Sequence, residues 1–337
     1  MTPFRLGILG TGNIARQFAE GVAGSRRCRV VAVASRGAAS ARRFAETHGI
    51  ERGRAYGSYA ELLDDRELDG LYIALPNTMH REWTLRALEA GLHVLCEKPL
   101  AVSRAEAKEM FDAAGSANRL LMEAFMYRCH PQTRAVVDAV RNGAIGTVQQ
   151  VRTSFCYHTK RRAGNIRFDA ELAGGAMMDI GCYCVSFARL IAAEEPNEII
   201  ARCVRHPSGV DERTTGLLRF PSGIDAMFSC AMTMQADNTA WVMGDEGYVE
   251  VPVPWKPPER GAVWRRRSMT PPRQDAGKGG GPAVEEHTAD ADGPLFGLEA
   301  DAFADAARGD AEPMVTPADS LGNAAVLDAV RHAAASA

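Results

Sequence analysis

The chain has 337 residues, of which 46% are apolar, and a formal net charge of −3. That length suits two ordinary domains whose cores need no disulfides or metals as staples. The small, scattered charge offers no basic footprint for nucleic acid or an anionic membrane, and no apolar run approaches the roughly 20 residues of a spanning helix.

Residues 4–9 read as a strand that runs straight into a glycine-rich turn, which leaves no room for a signal peptide. Ile14, Phe18 and Val22 then recur at helical spacing. Residues 29–35 form a second strand, and residues 38–48 a helix closed by Gly49. A third strand covers 71–75, a helix 80–90 with Gly91 as its left-handed cap, and a fourth strand 92–96. Ser103 and Glu106 make a capping box for the next helix, and a further strand covers 120–125. Strict alternation of strand and helix predicts a doubly wound parallel sheet, a Rossmann domain over residues 1–124.

Beyond Pro131 the pattern changes. A helix over 132–141 leads to a long strand at 148–157 and a helical stretch at 176–191. Strand-like runs follow at 197–205, 214–220, 224–234 and 239–251, with turn sequences such as Pro221-Ser222-Gly223 and Gly244-Asp245-Glu246-Gly247. Strands without intervening helices predict an α+β domain over 125–337 with a large open antiparallel sheet. An open sheet face needs a cover, so a homodimer or homotetramer through that sheet is expected. Residues 252–294, rich in Pro, Gly and Arg, read as an irregular loop, and helix returns from 298. The eight cysteines show no C-x-x-C spacing, and Cys182 and Cys184 lie too close together for zinc ligands. Free thiols in a cytoplasmic protein without metal are the expectation.

Gly10-Thr11-Gly12-Asn13-Ile14-Ala15 fits the dinucleotide fingerprint and sits between the first strand and the first helix. Gly10 allows the tight turn, Gly12 admits the pyrophosphate, and Ala15 lets helix pack on strand. The second strand ends in Ser35-Arg36 with no carboxylate for a ribose 2′-hydroxyl. Arg36 suits a 2′-phosphate, so NADP is expected ahead of NAD. Glu97-Lys98-Pro99 closes the fourth strand, at the sheet end where such folds bind ligands. Lys98 can hold the nicotinamide ribose there, while Glu97 shapes the strand end.

These motifs, with Ala74-Leu75-Pro76-Asn77 through His80, the segment from Glu123 to Arg128, Asn165-Ile166-Arg167 and the segment from Gly174 to Tyr183, resemble the Gfo/Idh/MocA oxidoreductases over nearly the whole chain. The similarity is to the branch of glucose–fructose oxidoreductase, NADP-dependent xylose dehydrogenases, dimeric dihydrodiol dehydrogenase and nucleotide-sugar ketoreductases. Many members carry histidine four residues after the aspartate, where this chain has Tyr183. The resemblance implies Tyr183 as acid/base with Lys98 as partner, and a cis Lys98–Pro99 bond. It also implies cofactor contacts from Leu75, Pro76, Asn77, His80 and Glu123. His80 reads equally well as an ordinary helix-start histidine. Arg128 and Arg167 are candidates for substrate contact or for plain ion pairs.

The physics agrees with that implication. Asp179 and Tyr183 are four residues apart and share a helix face. A nearby ammonium favours phenolate over phenol, so a lysine beside Tyr183 equips it to take a hydroxyl proton. Asp179 can orient a substrate hydroxyl or Lys98. The reaction expected is hydride transfer between NADP and a sugar, as an aldose dehydrogenase or a ketosugar reductase. A vicinal or trans-dihydrodiol substrate is the second reading. A non-catalytic NADP-binding sensor is the third, and the presence of both Lys98 and Tyr183 argues against it.

Overall fold

The computed structural model describes residues 2–160, 162–268 and 283–335. The chain divides into two compact units.

The first unit holds residues 1–129, 171–173 and 292–325. Its strands and helices alternate as predicted: β1 (Phe4–Leu9), α1 (Asn13–Val22), β2 (Cys28–Ala34), α2 (Ala38–His48), β3 (Ala55–Tyr56), α3 (Tyr59–Leu63), β4 (Gly70–Ile73), α4 (His80–Glu89), β5 (His93–Glu97), α5 (Arg104–Ala117) and β6 (Leu121–Ala124). Every pairing is parallel, in the order β3-β2-β1-β4-β5-β6. That is the dinucleotide-fold order, with β1 and β4 side by side at the switch point. The two-residue β3 and the single-turn α3 are too short for periodicity to reveal.

β4 and β6 are buried along their whole length, as a sheet covered on both faces requires. The core under α4 and α5 is built from Leu9, Leu71, Ile73, Val94, Met110 and their neighbours. Each fully buried Leu or Ile contributes about 2 kcal/mol. Phe18 of α1 stacks on Tyr72 of β4 at 3.7 Å, fixing the first helix to the sheet. Ser103 accepts from the Glu106 N–H at 3.2 Å, and Gly49 and Gly91 take the left-handed conformation expected of them.

The second unit holds residues 130–170, 174–291 and 326–337. It contains α6 (Pro131–Arg141), β7 (Val148–Cys156), α7 (Cys182–Ala192), β8 (Glu198–Arg205), β9 (Asp211–Arg219), β10 (Asp225–Ala231), β11 (Ala240–Gly244), β12 (Gly247–Val251), β13 (Ala262–Ser268) and β14 (Ala283–Ala289). They form one sheet in the order β14-β13-β12-β11-β7-β10-β9-β8. All pairs are antiparallel except β7 with β10, because the helical segment between β7 and β8 works as a crossover.

Two expectations are corrected. Residues 252–294 are not wholly irregular: β13 and β14 form a hairpin that extends the sheet, and residues 269–282 lie outside the described part. Arginines in β13 hid that strand from an apolar-alternation reading; Arg265 and Arg266 pair with Glu286 and Glu285 across the hairpin. The boundary expected near residue 124 is also not a single cut. α8 (Leu295–Arg308) and the first part of α9 (Pro317–Ala335) return to the first unit. Gly21 of α1 makes that possible, because a Cβ there would stand 2.8 Å from Phe296.

One cross-strand row of the second sheet reads Ile200, Leu217, Met227, Arg152, Trp241, Glu250, Arg265, Glu286. Residues opposite one another share a face. The row is apolar and exposed at one end, where Ile200 is 55% and Met227 39% accessible. It is charged and ion-paired at the other, where Arg265 meets Glu286 at 2.9 Å. Among the described residues, no helix is long and apolar enough to cross a membrane.

Candidate active site

Gly10 has φ +104°, and a Cβ there would lie 2.5 Å from the Ala74 carbonyl oxygen, so only glycine fits. Gly12 has nothing within 4 Å of its Cβ position, which leaves open space in front of the turn. It is the N-cap of α1 without a side-chain cap, so the helix start is left to an anion. Asn13 and Ile14 open the helix, and Ala15 is fully buried behind it. The hydroxyls of Thr11 and Ser35 stand 3.4 Å apart, joining the turn to the end of β2. Arg36 is exposed and forms no ion pair among the described residues.

At the end of β4, Leu75 is buried and Asn77 donates its side-chain amide to the Ala173 carbonyl at 2.8 Å. Pro76 between them is half-buried. The Lys98–Pro99 bond is cis. Lys98 is half-buried at the end of β5. Glu97 accepts from the Tyr72 hydroxyl at 2.5 Å and from the Lys98 N–H at 3.2 Å, so it shapes the strand end as expected. Glu123 accepts from the Leu100 N–H at 2.9 Å and steadies the turn after the proline.

His80 and Arg128 are corrected. His80 is fully buried, with ring nitrogens 3.0 Å from the Pro99 carbonyl and 2.9 Å from that of Leu75. Burial lowers its pKa, and the ring clamps the Leu75 and Pro99 segments together rather than facing a ligand. Arg128 is 8% exposed and reaches Asp319 and the Met314 carbonyl, each at 3.4 Å. It ties the start of α9 to the rest of the first unit and presents no face to a substrate.

In the second unit, Gly174 and Gly175 lead into the helical stretch. A Cβ on Gly174 would lie 2.5 Å from the Arg167 carbonyl, and Gly175 has φ +117°. Residues Met177–Gly181 form a π-helical turn that runs into α7. Such turns are rare and gather at functional sites. Asp179 sits in it and Tyr183 one turn later. Arg167 donates to Asp179 at 2.7 Å, and so does the Tyr157 hydroxyl at 2.6 Å, both to Oδ2. Tyr183 is 3% exposed, with Phe155 and Trp255 against its ring edge-on at 5.4 and 6.0 Å. Trp255 is core, with its indole N–H donated to the Ser154 carbonyl at 2.8 Å.

Three contributors escaped the sequence reading. Tyr157 is first: burial and then the Asp179 charge push its pKa far up, so it remains a hydroxyl donor. Asp211 is second. It accepts from the Met177 N–H at 2.8 Å and the Thr214 hydroxyl at 2.6 Å, capping the π-turn from a distant strand. Glu299 of α8 is third: it is fully buried, and neither carboxyl oxygen has a hydrogen-bond partner. Burial, then the charge of Glu97, raises its pKa well above the ordinary range, so the group is held protonated. A glutamate on the apolar face of a helix was the one available signal.

With this geometry in view, the likenesses to known proteins are coherent. Residues 4–125 match the oxidoreductase family with an NAD-binding Rossmann fold, and residues 133–250 match the Gfo/Idh/MocA C-terminal domain. The chain belongs to the Gfo/Idh/MocA family of oxidoreductases. It is 41% identical over 220 residues to D-xylose 1-dehydrogenase (NADP(+)) 2 of Haloferax volcanii, covering 65% of this chain and 67% of that one. It is 36% identical over 274 residues to trans-1,2-dihydrobenzene-1,2-diol dehydrogenase of Mus musculus, covering 80% of each. The structure of a 3-ketoreductase from Actinomadura kijaniata, solved with TDP-benzene and NADP, superposes with a TM-score of 0.84 at 31% identity, over 98% of this chain and 97% of that one.

Proposed function

We propose that this protein is an NADP-dependent oxidoreductase that moves a hydride between nicotinamide and a sugar, as an aldose dehydrogenase or a ketosugar reductase. The observation that carries the reading is the Tyr157–Asp179–Arg167 group, held one helical turn from Tyr183. Two tyrosines flank this aspartate, and one of them, Tyr157, is committed as a donor to it. That leaves Tyr183 as the proton-transfer group.

The first unit fits a dinucleotide phosphate on its own residues. The open space at Gly12, the uncapped start of α1 and the unpaired Arg36 suit a pyrophosphate and a 2′-phosphate. Gly10, Thr11, Gly12, Asn13 and Ile14 would hold the former, with Ser35 and Arg36 on the latter. Leu75, Pro76, Asn77 and Lys98 would flank the nicotinamide end. NADP in the names of the Haloferax and Actinomadura proteins supports this choice.

When bound, the cofactor supplies the carbon that accepts or gives up the hydride. In oxidation, Tyr183 Oη takes the proton of the substrate hydroxyl; in reduction it returns that proton to the carbonyl oxygen. Lys98 contributes positive charge at the nicotinamide ribose. Asp179, made rigid by its two donors, orients the substrate hydroxyl, and the exposed Arg167 adds a cationic rim. A diol in place of the sugar keeps every role and is supported by the likeness to the mouse enzyme.

The exposed Ile200–Leu217–Met227 end of the second sheet supports a homodimer or homotetramer through that face. All eight cysteines are thiols, which suits a cytoplasmic address.

Absorbance at 340 nm tests the reading. NADP⁺ and NAD⁺ are offered with aldoses and vicinal diols, and the reduced cofactors with ketosugars. Turnover on sugars that prefers NADP is the expected result. Cofactor binding without turnover on either class would overturn it in favour of a sensor.

A further inference from the structure

The first unit carries a second concave site, at the opposite end of its sheet from the dinucleotide turn. The starts of β1, β4 and β5 frame a cavity of about 810 Å³, walled by Phe4 and rimmed by Arg5, Asp69, His93, Arg119 and Arg308. These strands run away from the cavity and end at the turn, at the Asn77 segment and at Lys98. The cavity is large enough for a small metabolite.

Its polar groups converge on one sign. Arg5 is offset by Asp69 and Glu67, with nitrogen–oxygen distances of 3.6 Å to each. Asp69 also accepts from the Arg5 N–H at 2.7 Å, so that carboxylate is already occupied. Arg119 is different. Its Nε donates to the Gly91 carbonyl at 2.5 Å and a terminal nitrogen to the Asn118 carbonyl at 2.9 Å, and no carboxylate pairs with it among the described residues. Arg308 is braced by the Thr2 carbonyl at 2.7 Å and lies 5.6 Å over the Phe4 ring. Carbonyl bracing fixes a guanidinium without cancelling its charge.

His93 adds a neutral donor. Its Nδ1 accepts the Leu120 N–H at 3.0 Å, so the uncharged ring carries its proton on Nε2. Burial, with Arg119 nearby, lowers the pKa and keeps the ring neutral. The cavity thus offers two pre-positioned guanidiniums and one imidazole N–H against one occupied carboxylate.

We propose that this cavity is a binding site for a small anion of the phosphate-monoester class, separate from the cofactor turn. Arg119 and Arg308 supply the charge, and His93 donates from Nε2.

The test is calorimetric titration of inorganic phosphate into protein saturated with NADP, which keeps the probe off the dinucleotide turn. Saturable one-to-one binding is expected. Arg119→Gln combined with Arg308→Gln should weaken it about ten-fold or more, as loss of charge-assisted bonds requires. Asp69→Asn keeps an acceptor for the Arg5 N–H and removes the opposing charge, so it should tighten binding, a gain that misfolding cannot imitate. Turnover at saturating substrate should stay unchanged in all variants. Absence of saturable binding, or equal affinity in wild type and the arginine variant, overturns the proposal.

Discussion

The two units arrange their functional groups in different ways. In the first, the key features are backbone ones: a positive φ at Gly10, open space at Gly12 and free N–H groups at the start of α1. In the second they are side chains gathered from separate segments, with Tyr157 after β7, Arg167 in a short turn and Asp179 in the π-turn. A backbone device is compact in sequence, because consecutive residues make it. A side-chain cluster is distributed, because each member rides on its own element.

The contrast can be broken by substitution. Tyr183→Phe removes the proton-transfer oxygen and little else, so kcat should fall by about 10²–10⁴-fold with NADP affinity unchanged. Tyr157→Phe keeps that oxygen and frees one side of Asp179; a loss of only about ten-fold is expected. Equal losses in steady-state kinetics would show that the two tyrosines had been assigned the wrong way round.

Gly10→Ala attacks the backbone device. The added methyl would meet the Ala74 carbonyl in a conformation that alanine resists, at a cost of about 1–3 kcal/mol. Urea unfolding should show that loss, and fluorescence titration a weakened NADP complex. Arg36→Gln is the milder probe. It should raise the Kd for NADP about ten-fold and leave that for NAD unchanged, since only the 2′-phosphate contact is lost.

The smallest effect concerns Glu299. Its pKa is raised in the folded protein, so folding favours the protonated form. Its burial is therefore tolerated below the unfolded value of about 4.3, and stability is lost as pH rises from there toward the folded pKa. Glu299→Gln removes the ionisable proton. The stability gained in thermal melts should be nil near pH 4 and grow with pH; a gain independent of pH would contradict a protonated Glu299.

Much of the fold was legible in the sequence. Strand–helix alternation gave the parallel sheet, and every long element fell within a few residues of its expected place. β3 and α3 were missed because two and five residues carry no usable period. β13 and β14 were missed because their cross-strand partners are charged on both sides. The resemblance located the Asp179–Tyr183 helix and Arg167, but not what holds them. Tyr157 and Asp211 act over separations of 22 and 34 residues, and no local pattern encodes such a bond.

By itself the sequence determined the elements whose causes are local. Gly10 is required by its own turn, Ser103 caps its own helix, and the end of β2 lacks a carboxylate because of the residue standing there. The tertiary structure alone decided whatever depends on a partner far along the chain. It turned His80 into a buried clamp and Arg128 into a tie to Asp319. It returned α8 to the first unit, and it left Glu299 without a hydrogen-bond partner. The physical reason is the same in each case: burial and hydrogen-bond partnership are properties of packed neighbours, and those neighbours are chosen only when the chain has folded.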